Sequence, residues 1–201
     1  MVGSQRVATG VHPSRMTHAA VADDMLVRDA RAAYFAANGF SDAEYKNRWA
    51  TLKIGFVPLA FPNTPSRQRA LPMHDLHHVA TGYPTTIVGE AEIGAWEIAG
   101  GCGDHLAGWV LDSVAFGYGL LIAPRRTYRA FMRGRHSAPL YATGWSDALL
   151  ALTVGQLRAR LQLDRASAAP TTVRDVAAFA GWVVLVSSPV IAAGVLAWAL
   201  W

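Results

Sequence analysis

After Asp175 the chain carries no charged residue, and the closing run VAAFAGWVVLVSSPVIAAGVLAWALW fills residues 176–201. A helix needs about 20 apolar residues to cross a bilayer. The run therefore predicts a hydrophobic C-terminal helix over residues 171–201, a candidate membrane segment, with a buried core helix as the other reading. Trp182, Trp198 and Trp201 stand near its ends, where indoles favour the membrane interface. Pro189 would kink it, and a kink is tolerated in lipid. Arg158, Arg160, Arg165 and Arg174 precede it, which predicts a membrane-associated protein with its body on the cytoplasmic side.

The rest of the chain leans the same way. Only 16% of its residues are charged, against about 25% for a soluble domain. The formal net charge is +4, and Lys46 and Lys53 are the only lysines. Such a surplus suits an anionic lipid surface. No basic run is interleaved with aromatics, which argues against a nucleic-acid partner. Cys102 is the only cysteine, so no disulfide forms within the chain. The first residues, MVGSQRVATGVHPSRMTHAAV, lack the continuous apolar core of a secretory signal and are expected to form a flexible arm over residues 1–22.

Residues 23–165 read as one compact multi-helix domain, and the fold class as all-α. ADDMLVRDARAAYFAANG has acidic residues in its first turn and Gly39 as a stop. SDAEYKNRWATLK opens on Ser41 and Glu44 at capping-box spacing and predicts a second helix. FVPLAFPNTPSR, with three prolines, reads as a linker or lid. Pro72 takes the first position of the next helix, Gly82 to Pro84 break it, and another helix covers residues 85–98. GGCG at residues 100–103 breaks again before an apolar helix rich in small residues. A basic helix from Pro124 carries Arg125, Arg126, Arg129, Arg133 and Arg135, which suit lipid phosphates or a solvated face. One helix is expected over GWSDALLALTVGQLRARLQLD.

The chemistry concentrates in HDLHHVATGYPTTIVGE, residues 74–90. At 100° per residue, His74, Asp75 and His78 lie within about 100° of one another and His77 sits on their flank. An i,i+4 histidine pair is a common way to offer two imidazoles to one metal. Asp75 adds a ligand or an acceptor that orients an imidazole. Glu90 follows the break, and an antiparallel pair of helices would turn it back toward the histidines. His77, Glu92 and Glu97 read more readily as structural, solvated or capping residues. Asp104 and His105 read as caps of the following helix, and Cys102 as a small buried hydrophobe.

His74, Asp75, His78 and Glu90, at the spacing His-Asp, two residues, His, eleven residues, Glu, resemble the signature of the coenzyme Q biosynthesis protein four family. MHDLHHVATGYPTTIVGEAEIGAWEIA and AFMRGRHSAPLYATGWSDALLALTVGQLRARLQL resemble its two separated segments in order, and the likeness runs over residues 34–163. It implies a helical, membrane-associated, often dimeric protein of ubiquinone biosynthesis. It further implies metal ligation by His74, Asp75, His78 and Glu90, with zinc as the metal and iron as the alternative. Asp75 and Glu90 are then the candidate catalytic carboxylates. The implied activity is a metal-dependent lyase, removing the C1 carboxyl group of a polyprenylated hydroxybenzoate with coupled hydroxylation. The alternative is a non-catalytic lipid-binding scaffold for other quinone-biosynthesis proteins. The Pro-rich stretch before the motif and the tail from Ala166 depart from the family pattern.

Overall fold

The computed structural model describes residues 21–199 apart from 55–56. The expected arm, residues 1–22, thus lies outside the described residues except for its last two. The body is all-α. Among the described residues eight α-helices follow in order: α1 (Val27–Asn38), α2 (Pro65–Thr81), α3 (Ile87–Gly100), α4 (Leu106–Ile122), α5 (Pro124–Gly134), α6 (Val154–Arg160), α7 (Leu163–Ala168) and α8 (Val173–Ala199). One antiparallel hairpin, β1 (Trp49–Ile54) with β2 (Val57–Pro62), stands between α1 and α2.

The centre is α3. Gly89 and every residue from Ala91 to Ala99 are buried in it, so it is a core helix despite three glutamates. α4 and α5 pack on it, α2 packs on α4, and α1 and α6 pack on α2. Trp96, Phe116, Phe131, Met73 and Leu76 fill the space between them. The indole of Trp96 donates to the Ser137 hydroxyl at 2.9 Å, which satisfies its one polar atom in the core.

Four local expectations are corrected. Residues 41–53 do not form one helix: a short 3-10 turn, Asp42–Lys46, leads into β1, and the Pro-rich stretch becomes β2. The β-branched and aromatic residues prefer a pleated strand, and in a two-stranded sheet Pro58 and Pro62 occupy an edge, where a missing donor is tolerated. α2 starts at Pro65, not Pro72. Thr64 is the N-cap, its hydroxyl accepting from the Arg67 amide at 3.3 Å, and Pro72 lies inside the helix. The single helix expected after Gly144 is a 3-10 turn, Asp147–Ala151, followed by α6. A capping box between Thr153 and Gln156 restarts the chain there, and the Val154 amide crosses to the Met25 carbonyl at 2.8 Å.

The C-terminal segment is helical, as α8, but its membrane-spanning role is corrected: among the described residues no helix is long and apolar enough to cross a membrane. Over its first half α8 is docked on the body. Phe179 meets Phe116, Tyr128 and Phe131 with ring centroids 5.0 to 5.7 Å apart. Trp182 stacks on Trp109 of α4 at 5.8 Å. The outer indoles of the expected segment, Trp198 and Trp201, lie outside the described side chains.

Candidate metal centre

α2 and α3, joined by the short turn after Gly82, bring their side chains together to build the site. α2 ends at Gly82, whose φ of +77° is a left-handed cap that L side chains disfavour. α3 opens on Thr86, whose hydroxyl accepts from the Gly89 amide at 3.2 Å. At Gly89 a Cβ would come within 1.9 Å of the Pro84 carbonyl oxygen. Only a glycine lets the first turn of α3 come this close, and that approach carries Glu90 to the end of α2.

Glu90 reaches both histidines. Its carboxylate oxygens lie 3.6 Å from His74 Nε2 and 3.5 Å from His78 Nε2. The two Nε2 atoms face each other at 3.1 Å. Each residue offers one ligand atom, all within 4.8 Å of one another.

The far side of each ring decides its chemistry. His78 Nδ1 lies 2.8 Å from the Tyr83 carbonyl oxygen. His74 Nδ1 lies 3.1 and 3.0 Å from the two Glu97 oxygens. A carbonyl and a carboxylate only accept, so each Nδ1 carries the proton. Both Nε2 atoms are left as lone pairs, pointed at each other and at a carboxylate. Such a set of acceptors repels itself unless a cation or an extra proton lies among them, and two imidazoles with one carboxylate are a standard divalent-metal donor set. With no cation among them the extra proton falls to His74, which burial would lower but Glu97 and Glu90 raise well above the ordinary imidazole range. Burial would raise the Glu90 carboxyl, but hydrogen bonds from the protonated imidazole pair hold it well below the ordinary range.

Asp75 stands apart from this set. It accepts from the Tyr34 hydroxyl at 3.4 Å and from the Tyr45 hydroxyl. The reason is angular. α3 lies over the arc from His77 to His78, and Asp75, about 60° further round the wheel, faces α1 and the 3-10 turn after it. Burial pushes Asp75 above the usual carboxylate range, against the pull of His74 and the Tyr45 hydroxyl.

Two residues read from sequence as structural sit behind the site. Glu97 is fully buried and receives both His74 and His77, the latter at 2.6 Å. His77 Nε2 in turn accepts the Leu140 amide at 2.9 Å. Burial would raise Glu97, yet the two histidines hold it well below the ordinary range, while burial lowers His77 against the pull of Glu97. The available signal was the seven-residue interval from Glu90 to Glu97, two helical turns on one face. Asp112 of α4 was not singled out. With His74 and Glu97 it forms a second group of atoms within 4.8 Å, and burial together with the Glu97 charge pushes it well above the ordinary range. Cys102 donates to it at 3.4 Å and is itself pushed up by burial, as suits a buried hydrophobe. Glu92 is not a ligand: it takes both ends of the Arg126 guanidinium, at 2.9 and 2.6 Å. Asp104 is exposed and His105, at the N-cap of α4, makes no side-chain cap bond.

His74, Glu90 and Asp112 face a cavity of about 300 Å³ whose other lining is mostly apolar. Leu71 of α2, Ala91 of α3 and Leu111, Val114 and Tyr118 of α4 contribute to it. This is the lower end of the range for small-molecule sites. No family model, curated protein or solved structure matches the chain.

Proposed function

We propose that the chain is a metal-dependent lyase acting on a polyprenylated hydroxybenzoate, as its resemblance to the coenzyme Q biosynthesis protein four family implies. The single observation that carries this reading is the convergence of His74 Nε2, His78 Nε2 and the Glu90 carboxylate, with His74 and Glu90 lining an apolar cavity. These three residues would hold the metal, zinc or iron, and leave positions open; ligand type alone fits both metals. The metal would supply Lewis acidity toward the ring carboxylate or a phenolic oxygen.

The chain's own residues do the rest. Tyr83 and Glu97 fix the tautomers of His78 and His74. The aliphatic lining takes the apolar substituent of the ring and excludes water. Asp75, away from the donor set, supports the site through Tyr34 and Tyr45. Replacement of the carboxyl group by hydrogen releases carbon dioxide and consumes a proton; replacement by hydroxyl requires a two-electron oxidant such as dioxygen. Membrane association belongs to the same reading, since a polyprenyl substrate resides in lipid.

Metal analysis tests it. Purified wild type should hold about one zinc or iron per chain, and His78→Gln should lose it with its circular dichroism unchanged. Equal metal in both proteins, or none in either, overturns the reading in favour of a protonated histidine pair. A short-chain prenylated hydroxybenzoate should then lose carbon dioxide with the loaded wild type. Metal without turnover would leave the scaffold reading in its place.

A further inference from the structure

α4 is a surface helix whose open side carries no charge. Leu106, Val110, Val114 and Leu121 are 68, 54, 67 and 81% exposed, and at 100° per residue they fall within an arc of about 80°. Leu111, Tyr118 and Ile122, also exposed, widen that arc without adding a charge. The one carboxylate of the helix, Asp112, is buried on the opposite side. A helix turned toward water normally presents polar residues there.

α8 continues the same surface. It lies beside α4 through the Trp182–Trp109 stack and through Val186, whose side chain is 3.8 Å from where a Cβ of Gly117 would stand. Its own outward residues Val173, Val184 and Leu185 are 86, 66 and 59% exposed. Two adjacent helices thus show a joint apolar face, and a contiguous face of this kind marks an interaction surface.

Two observations say what covers it. The first is charge at the border. Arg125 and Arg129 of α5 line a groove with Leu120, Tyr128, Phe179 and Val183. Arg126 and Arg135 of the same region are engaged by Glu92 and Asp175, whereas Arg125 and Arg129 have no carboxylate partner among the described residues. Guanidinium groups beside an apolar face match the headgroup phosphates of a bilayer. The second is continuity with the cavity. Leu111, Val114 and Tyr118 belong both to the outer face and to the cavity lining. A protein seated there would stop the mouth of the cavity, whereas lipid would feed it. This second argument rests on the reading of the cavity as a lipid site; the first does not.

We propose that the open faces of α4 and the first half of α8 form a platform that seats on an anionic bilayer, with Arg125 and Arg129 at the headgroups and the cavity opening toward the acyl chains. The occupant is the lipid surface, and α8 lies along it beside the body.

Flotation of the full chain tests this, using vesicles of phosphatidylcholine with and without phosphatidylglycerol. Wild type should float with the anionic vesicles. Val110→Glu/Leu121→Glu, two positions outside the cavity lining, should lose roughly tenfold or more of the bound fraction. Arg125→Ala/Arg129→Ala should weaken binding by a similar factor and flatten its salt dependence. Circular dichroism checks folding, and Val184→Glu/Leu185→Glu on α8 decides the matter if the α4 pair unfolds. Absence of wild-type flotation, or equal flotation of wild type and a folded face variant, overturns the proposal. So does a wild-type dimer in light scattering that the α4 pair splits while no vesicle binding is seen, which would make a second copy the occupant. His78→Gln should still float, so loss of metal and loss of docking are separate failures.

Discussion

Glu97 governs the protonation of the site without belonging to its donor set. Its two oxygens hold the Nδ1 protons of His74 and His77, and so aim one lone pair at Glu90 and another at the Leu140 amide. Glu97→Gln keeps the volume but replaces one acceptor by a donor, which forces one histidine into the wrong tautomer. Metal affinity should fall roughly 10- to 100-fold, read by calorimetric titration with zinc, while the helical circular dichroism persists. A titration unchanged from wild type would remove Glu97 from any positioning role. Asp75→Asn makes the opposite case. Because Asp75 bonds to tyrosines, metal stoichiometry should survive its substitution and fall in Glu90→Gln; loss in both would restore Asp75 to the ligand role its motif position suggests. The histidine spacing and the eleven-residue interval were readable in the sequence because one helix wheel and one short turn fix them. Asp112 was not, because its place depends on how α4 crosses α3, which no local pattern encodes.

At the level of elements, helix contacts close enough to forbid a side chain hold the arrangement. At Gly134 of α5 a Cβ would lie 2.3 Å from the Trp96 carbonyl oxygen of α3. Helix propensity alone would favour alanine there by about 1 kcal/mol. The clash is with backbone, which cannot swing aside, so overpacking of about 1–3 kcal/mol should prevail. Gly134→Ala is expected to melt below wild type, and a higher melting temperature would show that α3 and α5 can separate freely. The start of α8 offers a pH test. Asp175 accepts from the Thr172 amide at 2.9 Å and from its hydroxyl at 2.7 Å, while Arg135 Nε donates at 3.1 Å and His136 Nε2 lies 3.3 Å away. The Thr172 bonds come first in holding its carboxyl below the ordinary range. A depressed folded pKa gives stability that is present above the unfolded value, about 3.9, and lost as pH falls through the folded one. The melting-temperature gap between wild type and Asp175→Asn should therefore be widest near neutrality and shrink below about pH 4; a constant gap would assign the effect to shape alone. The Thr153–Gln156 and Thr172–Asp175 pairs are short cap spacings, but the apolar periodicity across residues 144–164 pointed to one continuous helix and masked the first, and neither cap was read from the sequence. The β1–β2 hairpin was hidden because a capping-box spacing and three prolines pointed to other structures, and pairing between strands outweighed both.

On the scale of the whole molecule, the charge-free tail is the feature whose meaning composition leaves most open. An apolar helix can span lipid, lie on it, or cover a core, and hydropathy is the same in each case. What separates them is the partner of its inward face, a property of the folded body. Phe179 supplies the test. It touches Phe116, Tyr128 and Phe131 at once, and Phe116 and Phe131 are fully buried beneath it. If α8 were an anchor independent of the body, Phe179→Ala would leave the melting of α1–α7 unchanged. As a lid on the core, it should cost about 2–4 kcal/mol, somewhat less than a fully enclosed phenylalanine. For a chain of this size each kcal/mol lowers the midpoint by roughly 2–4 °C, so a drop on the order of 4–16 °C is expected in near-ultraviolet circular dichroism without lipid present. The same variant should still float with anionic vesicles at temperatures below its transition, because the outward residues of α4 and α8 are untouched. Melting that is unmoved would detach α8 from the core and reopen the spanning reading of residues 171–201.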